Sequence, residues 1–124
     1  MSKKRTITSS FSYAWEGIIE AFKNEPNFKI HLVFAALAIT AGFVLKISSQ
    51  EWTTLILTVS AVITLELINT AIEALVDITS PKISRLAKTA KDVSAAAVLI
   101  TSLGALIIGL IIFLPKISYS AFFY

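Results

Sequence analysis

Glu66, Asn69, Glu73 and Asp77 stand at i, i+3, i+7 and i+11 in the segment Glu66-Leu-Ile-Asn-Thr-Ala-Ile-Glu-Ala-Leu-Val-Asp77. On a helix this spacing sets three carboxylates and an amide along one face. Such a stripe has the donor chemistry for hard divalent cations and for moving protons. It lies inside an apolar run that begins near Trp52. Charge at membrane depth is costly, so a bilayer helix that keeps it normally uses it. The alternative is a stripe that only glues helices together through hydrogen bonds, which three carboxylates beside Asn69 fit poorly.

The elements that must position this stripe are apolar. The chain has 124 residues, 56% hydrophobic and 15% charged, with a mean hydropathy of +0.78. That composition excludes an ordinary soluble domain and points to the membrane, and one domain over residues 1–124 is expected at this length. The chain has no cysteine and a single histidine, which excludes disulfides, thiolate metal sites and zinc sites built on several imidazoles. The net charge of +3 reads as membrane topology and not as nucleic-acid binding.

The pattern predicts an all-α membrane protein with three transmembrane helices, about 30–47, 52–78 and 93–114, the last stopped by Pro115. An N-terminal amphipathic surface helix is predicted over about 9–25. Its apolar residues Phe11, Trp15, Ile18, Ile19 and Phe22 alternate at helical spacing with Ser12, Glu16, Glu20 and Lys23. A plain membrane anchor would show the same pattern. Pro26 should break this helix just after Glu25, leaving that carboxylate at a corner beside the first span. No secretory signal is expected, because the basic start is followed by polar and aromatic residues and not by an apolar core.

Basic residues set the orientation. Lys3, Lys4, Arg5, Lys23 and Lys29 precede the first span, and Lys82, Arg85, Lys88 and Lys91 lie between the second and third. The connection between the first two spans carries only Lys46 and an opposing Glu51. The N-terminus and the 79–92 loop are therefore expected in the cytoplasm and the C-terminus outside, with Trp52, Tyr119, Phe122, Phe123 and Tyr124 as aromatic anchors at the outer interface. If hydrocarbon begins near Trp52, it ends near Ile72, and Glu66 lies ~9 Å inside the cytoplasmic boundary. Glu73 then sits at the boundary and Asp77 projects into the cytoplasm. Desolvation at the depth of Glu66 suits a general base.

A second polar cluster, Ala87-Lys-Thr-Ala-Lys-Asp92, opens the third span. Read alone, Asp92 caps that helix and Lys91 is a topology signal; the functional alternative is that Lys91 binds phosphate as a point charge. Beyond it Ala97, Thr101, Ala105 and Gly109 recur every four residues as a ridge for close helix packing, and Ala38 and Gly42 would serve likewise in the first span. No phosphate-binding glycine loop, nucleophile elbow, zinc-protease helix or dinucleotide fingerprint is present.

The stripe Glu66 to Asp77, followed by Ala90-Lys91-Asp92, strongly resembles the prokaryotic diacylglycerol kinase family, which includes undecaprenol kinases. Tyr13-Ala-Trp15-Glu-Gly17, Asn24-Glu25 and the three-span layout extend the resemblance over nearly the whole chain. The resemblance implies a lipid kinase of the bacterial cytoplasmic membrane that uses ATP and Mg²⁺, with sites shared between the subunits of a homotrimer. It makes Glu66 the general base, with Asn69 in support, and Glu25 and Glu73 the holders of Mg²⁺ on the ATP phosphates. It assigns Tyr13, Glu25, Glu73, Asp77, Lys91 and Asp92 to ATP, and Glu66, Trp15 and Ala95 to the lipid side. The family's basic residue on the N-terminal arm falls in register on Thr6, with Arg5 adjacent. Diacylglycerol and undecaprenol both offer a primary hydroxyl at the interface, so the substrate stays open between them. Two rival classes are a small oligomeric ion- or proton-conducting protein and a structural membrane subunit. The first has no evident need for carboxylates staggered toward one side plus Lys91-Asp92, and the second leaves the stripe unexplained.

Overall fold

The computed structural model describes residues 6–82 and 84–123, which form α1 (Ile7–Asn24), α2 (Pro26–Val44), α3 (Ser49–Thr79) and α4 (Arg85–Phe123). The last three helices are long and apolar enough to cross a membrane, as the sequence predicts. The surface helix starts two residues earlier than expected because Thr6 caps it. Thr6 Oγ1 accepts from the Ser9 amide at 3.2 Å while Ser9 Oγ accepts from the Thr6 amide at 3.0 Å. Its apolar face stays open, with Phe11 and Trp15 74% and 64% exposed, as a helix lying on a bilayer requires.

Pro26 ends α1 and begins α2. It stands at the start of α2, where its missing N–H costs nothing, so Glu25 becomes the hinge residue between the two helices. The far end of α2 closes in a Schellman motif. The Ile47 amide donates to the Gly42 carbonyl at 3.1 Å and the Lys46 amide to the Phe43 carbonyl at 3.3 Å. Lys46 takes the left-handed conformation at φ 51, a strain of roughly 1–2 kcal/mol for a residue with a side chain. This tight turn drops Trp52 onto Gly42, where an added Cβ would lie 2.8 Å from the indole, so the expected close approach at Gly42 is present. Trp52 also stacks, tilted, on Phe43 with ring centroids 4.8 Å apart. Ser48 and Glu51 form the capping box that starts α3 ahead of the expected Trp52.

α3 packs chiefly along α4. A small core of Ile47, Leu55 and Ile112 closes the end beside the α2–α3 turn, and Lys116 on α4 pairs with Glu51 at 3.2 Å. These contacts explain why Pro115 does not stop the third span. It sits inside α4, between Ile112 and Phe113 packed on the core and Lys116 held by Glu51, and the helix runs on to Phe123. The other end of α4 differs from expectation too. Asp92 does not cap the helix: α4 begins at Arg85, and Asp92 lies within it, paired with Lys88 one turn back. Much of the expected 79–92 loop is thus helical, and α4, at 39 residues, is ~58 Å long, well beyond the ~30 Å hydrocarbon core. The expected ridge of small residues does not pack on a helix within the chain. Ala97 is exposed, and Ala105 and Gly109 border an apolar cavity between α2 and α4, because α4 turns Ser94, Val98 and Ile112 inward instead.

Candidate active site

α3 carries the stripe from the interior to the turn that precedes α4. Glu66 is 3% exposed, Asn69 and Glu73 are half-buried, and Asp77 is exposed. Eleven residues of helix place the two ends ~16 Å apart. The expected gradient from an enclosed carboxylate to a water-side one is therefore present.

The middle of the stripe is pinned to α4. Asn69 Nδ2 donates to Glu73 Oε1 at 3.1 Å, and Asn69 Oδ1 accepts from Ser94 Oγ at 2.6 Å. Ser94 is 8% exposed and its hydroxyl also lies 2.9 Å from the Lys91 carbonyl. The amide thus fixes Glu73 with one end while α4 fixes the amide. One turn on, Lys91 Nζ pairs with Asp77 across the two helices, and its charge also acts on Glu73. A recess of about 260 Å³ adjoins this pair and is lined by Lys82, Lys88 and Lys91 with Asp77. Three cations around one recess suit polyanionic phosphate.

Glu25 joins from the hinge. Glu25, like Glu73, is close enough to Glu66 to act on it electrostatically. The bend at Pro26 brings this about: without it, Glu25 would continue along α1, away from the stripe. Glu25 at the hinge and Glu66 and Glu73 on α3 are the carboxylates available here. Their donors are carboxylate oxygens, which suit Mg²⁺. Among the described residues no three His, Asp or Glu side chains close into a cage for a metal ion. Mg²⁺ ordinarily takes one or two protein carboxylates, with phosphate oxygens and water as its other ligands.

Asp92 is occupied by Lys88 on the exposed side of α4. Tyr13 and Trp15 project from α1 and Ala95 is exposed on α4. Arg5 lies outside the described residues. Two residues here carry no motif in the sequence. Ser94, which holds Asn69, lies two positions past the Lys91-Asp92 pair. His31 is marked only by being the one polar residue between Lys29 and Thr40.

Below Glu66, an apolar cavity of about 550 Å³ opens between α2, α3 and α4, bordered by His31, Phe34, Val62 and Ile63 near the carboxylate. Hydrocarbon therefore has a seat on one side of Glu66, and charged groups have theirs on the other.

A family model described as prokaryotic diacylglycerol kinase matches residues 12–113. An undecaprenol kinase of Bacillus subtilis (strain 168) is 43% identical over 108 residues, covering 87% of this chain and 88% of that protein. A diacylglycerol kinase of Synechocystis sp. is 41% identical over 109 residues, 87% of this chain but 62% of that longer protein. The diacylglycerol kinase of Escherichia coli (strain K12) is 35% identical over 101 residues, 82% of this chain and 83% of that one.

Proposed function

The chain belongs to the prokaryotic diacylglycerol kinase family and is a multi-pass membrane lipid kinase with a nucleotide substrate, and from that premise we propose that it transfers the γ-phosphoryl group of ATP to the primary hydroxyl of a membrane lipid alcohol. The observation that carries this reading is the exposure gradient of the stripe. Glu66 is enclosed beside an apolar cavity, while Glu73, Asp77 and Lys91 climb toward a lysine-lined recess.

Phosphoryl transfer is chiefly positioning and charge neutralisation, so few covalent tasks fall to the protein. The lipid lies with its hydrocarbon in the cavity and its hydroxyl at Glu66. Glu66 takes the hydroxyl proton as the oxygen attacks phosphorus. Lys82, Lys88 and Lys91 attract the phosphates from the cytoplasmic side, and the Asp77 pair keeps Lys91 extended toward them. Glu25 and Glu73 would hold Mg²⁺, which when bound neutralises charge on the phosphate oxygens. Asn69 and Ser94 keep Glu73 in place. Tyr13, Asp92 and Arg5 are further nucleotide contacts implied by the resemblance alone, as are Trp15 and Ala95 on the lipid side. The same resemblance, with the basic residues near the recess, supports the cytoplasmic membrane of a bacterium with the recess facing inward, and a homotrimer.

The test is purified protein in vesicles containing diacylglycerol or undecaprenol, supplied with labelled ATP and with or without Mg²⁺. Label should enter one lipid alcohol only when Mg²⁺ is present. Proton flux across the vesicles without lipid labelling would replace the kinase reading with that of a conducting oligomer.

A further inference from the structure

Burial is deepest at the elbow between α1 and α2. Ala21 and Phe28 are 2% and 0% exposed, the two least exposed apolar side chains among the described residues. Farther along α2 the large side chains Phe34 and Leu37 stay exposed. Ala21 lies four residues before Glu25 and Phe28 three after it, so about one helical turn is pinned on each side of the hinge. The backbone is held as well. The Glu25 amide donates to the Ala21 carbonyl at 2.9 Å, and the Glu25 carbonyl accepts from the Lys29 amide at 3.4 Å. On the open side Lys29 Nζ sits 5.4 Å from the centroid of the Phe22 ring, a cation–π contact across Pro26. Because α1 touches α3 as well as α2, the angle set here also sets where the hinge stands against the stripe.

The Glu25 side chain takes no part in this bracing. It stands at the N-cap of α2, where a carboxylate commonly accepts from its own helix, yet it makes no such bond. We propose that Phe28, with Ala21 on the α1 side, is a positioning residue that fixes the elbow and so places the Glu25 carboxylate on the divalent cation. The proposal rests on Glu25 being a metal ligand, as in the function proposed above. Close-packed interiors pass strain on to their neighbours, so removing the ring lets the elbow relax and carries Glu25 with it. A ring that served stability alone would leave the ion's affinity in the folded protein unchanged.

The test uses the whole protein in lipid vesicles with a non-hydrolysable ATP analogue and Mn²⁺ in place of Mg²⁺. Bound Mn²⁺ is read by EPR for the parent, Phe28→Ala, Phe28→Leu, Glu25→Ala and the Glu25→Ala, Phe28→Ala double variant. Loss of a group that supports a metal ligand typically costs ~10- to 100-fold in affinity, so Phe28→Ala should bind Mn²⁺ ~10-fold more weakly. Phe28→Leu keeps most of the buried volume and should recover most of that affinity. Phe28 acts through Glu25, so Phe28→Ala should cost nothing more once Glu25→Ala is present. Parental affinity in folded Phe28→Ala beside a weakened Glu25→Ala overturns the proposal and leaves the proposed function standing. A second loss of the same size in the double variant overturns it equally. Parental affinity in Glu25→Ala removes Glu25 from the metal site and the proposal with it. Should Phe28→Ala fail to fold, Ala21→Val, which crowds the elbow from the α1 side, is read by the same criteria.

Discussion

Removing the Ser94 hydroxyl is the sharpest perturbation of the site that touches no group placed on substrate. Ser94 Oγ donates to Asn69 Oδ1 at 2.6 Å from an 8% exposed position. Serine to alanine deletes the donor and leaves the amide oxygen without it. In water-soluble cores an orphaned acceptor of this kind costs about 1–3 kcal/mol. Between membrane helices the measured values are smaller, about 0.6 kcal/mol on average and about 1.7 at most, because the unfolded chain in the bilayer finds other partners. The short distance and the burial place this bond in the upper half of that range, at about 1 kcal/mol, or ~5-fold in the folding equilibrium. The measurement is a double-mutant cycle of Ser94→Ala and Asn69→Ala, unfolded by SDS in mixed micelles. A direct bond should appear as a coupling of about 1 kcal/mol, since each single variant already loses it. Because the same amide also donates to Glu73 at 3.1 Å, Ser94→Ala should raise the Mg²⁺ concentration needed for half-maximal rate as well. Losses that simply add, with a coupling under ~0.2 kcal/mol, would refute the claim that α4 fixes the amide.

Glu66→Gln should cut lipid phosphorylation by ~10²- to 10⁴-fold while leaving ATP binding intact, and Lys91→Ala should do the reverse, weakening ATP more than the chemical step; equilibrium nucleotide binding beside single-turnover rates checks both. Glu25→Ala and Glu73→Ala should each shift the Mg²⁺ dependence of the rate to higher concentration, and titration curves that superimpose on the parent's would remove them from the metal site. Native mass spectrometry from lipid nanodiscs should give three times the chain mass of 13.5 kDa, and an active species of single-chain mass would dismiss the trimer.

The sequence made the fold legible where the physical signal was long and periodic. Three apolar runs and one amphipathic stretch became the four helices, and Pro26 set the hinge at Glu25. It misled where the outcome depended on contacts between distant segments. Pro115 reads as a stop, yet the pairing of Lys116 with Glu51 and the packing of Ile112 carry α4 through it. Asp92 reads as a cap, yet the Lys88–Asp92 pair extends the helix two turns outward. Ala105 and Gly109 belong to a ridge that offers packing surface beyond what one chain needs, and within the chain they border the cavity while Val98 and Ile112 are buried. Within the site, the stripe on one helix was readable from spacing alone. Ser94 was not, because a lone serine shows its use only when the facing helix brings Asn69 to it.

Two helices, a hinge and a cavity divide the work of the site by depth. Hydrocarbon and charged phosphate repel a common solvent, so one chain can meet both only by offering them opposite ends of a single rigid element. α3 is that element: Val62 and Ile63 line the cavity, Glu66 is buried one turn on, and Asp77 emerges beside the lysines. A loop could carry the same residues, but it could not hold an enclosed carboxylate ~16 Å from an exposed one at fixed register. The polar contacts then act as braces on this one axis, Ser94 at the level of Asn69 and Lys91 at the level of Asp77. The stripe is thus braced by Ser94 and Lys91 from α4, while the hinge carboxylate Glu25 approaches from the other flank.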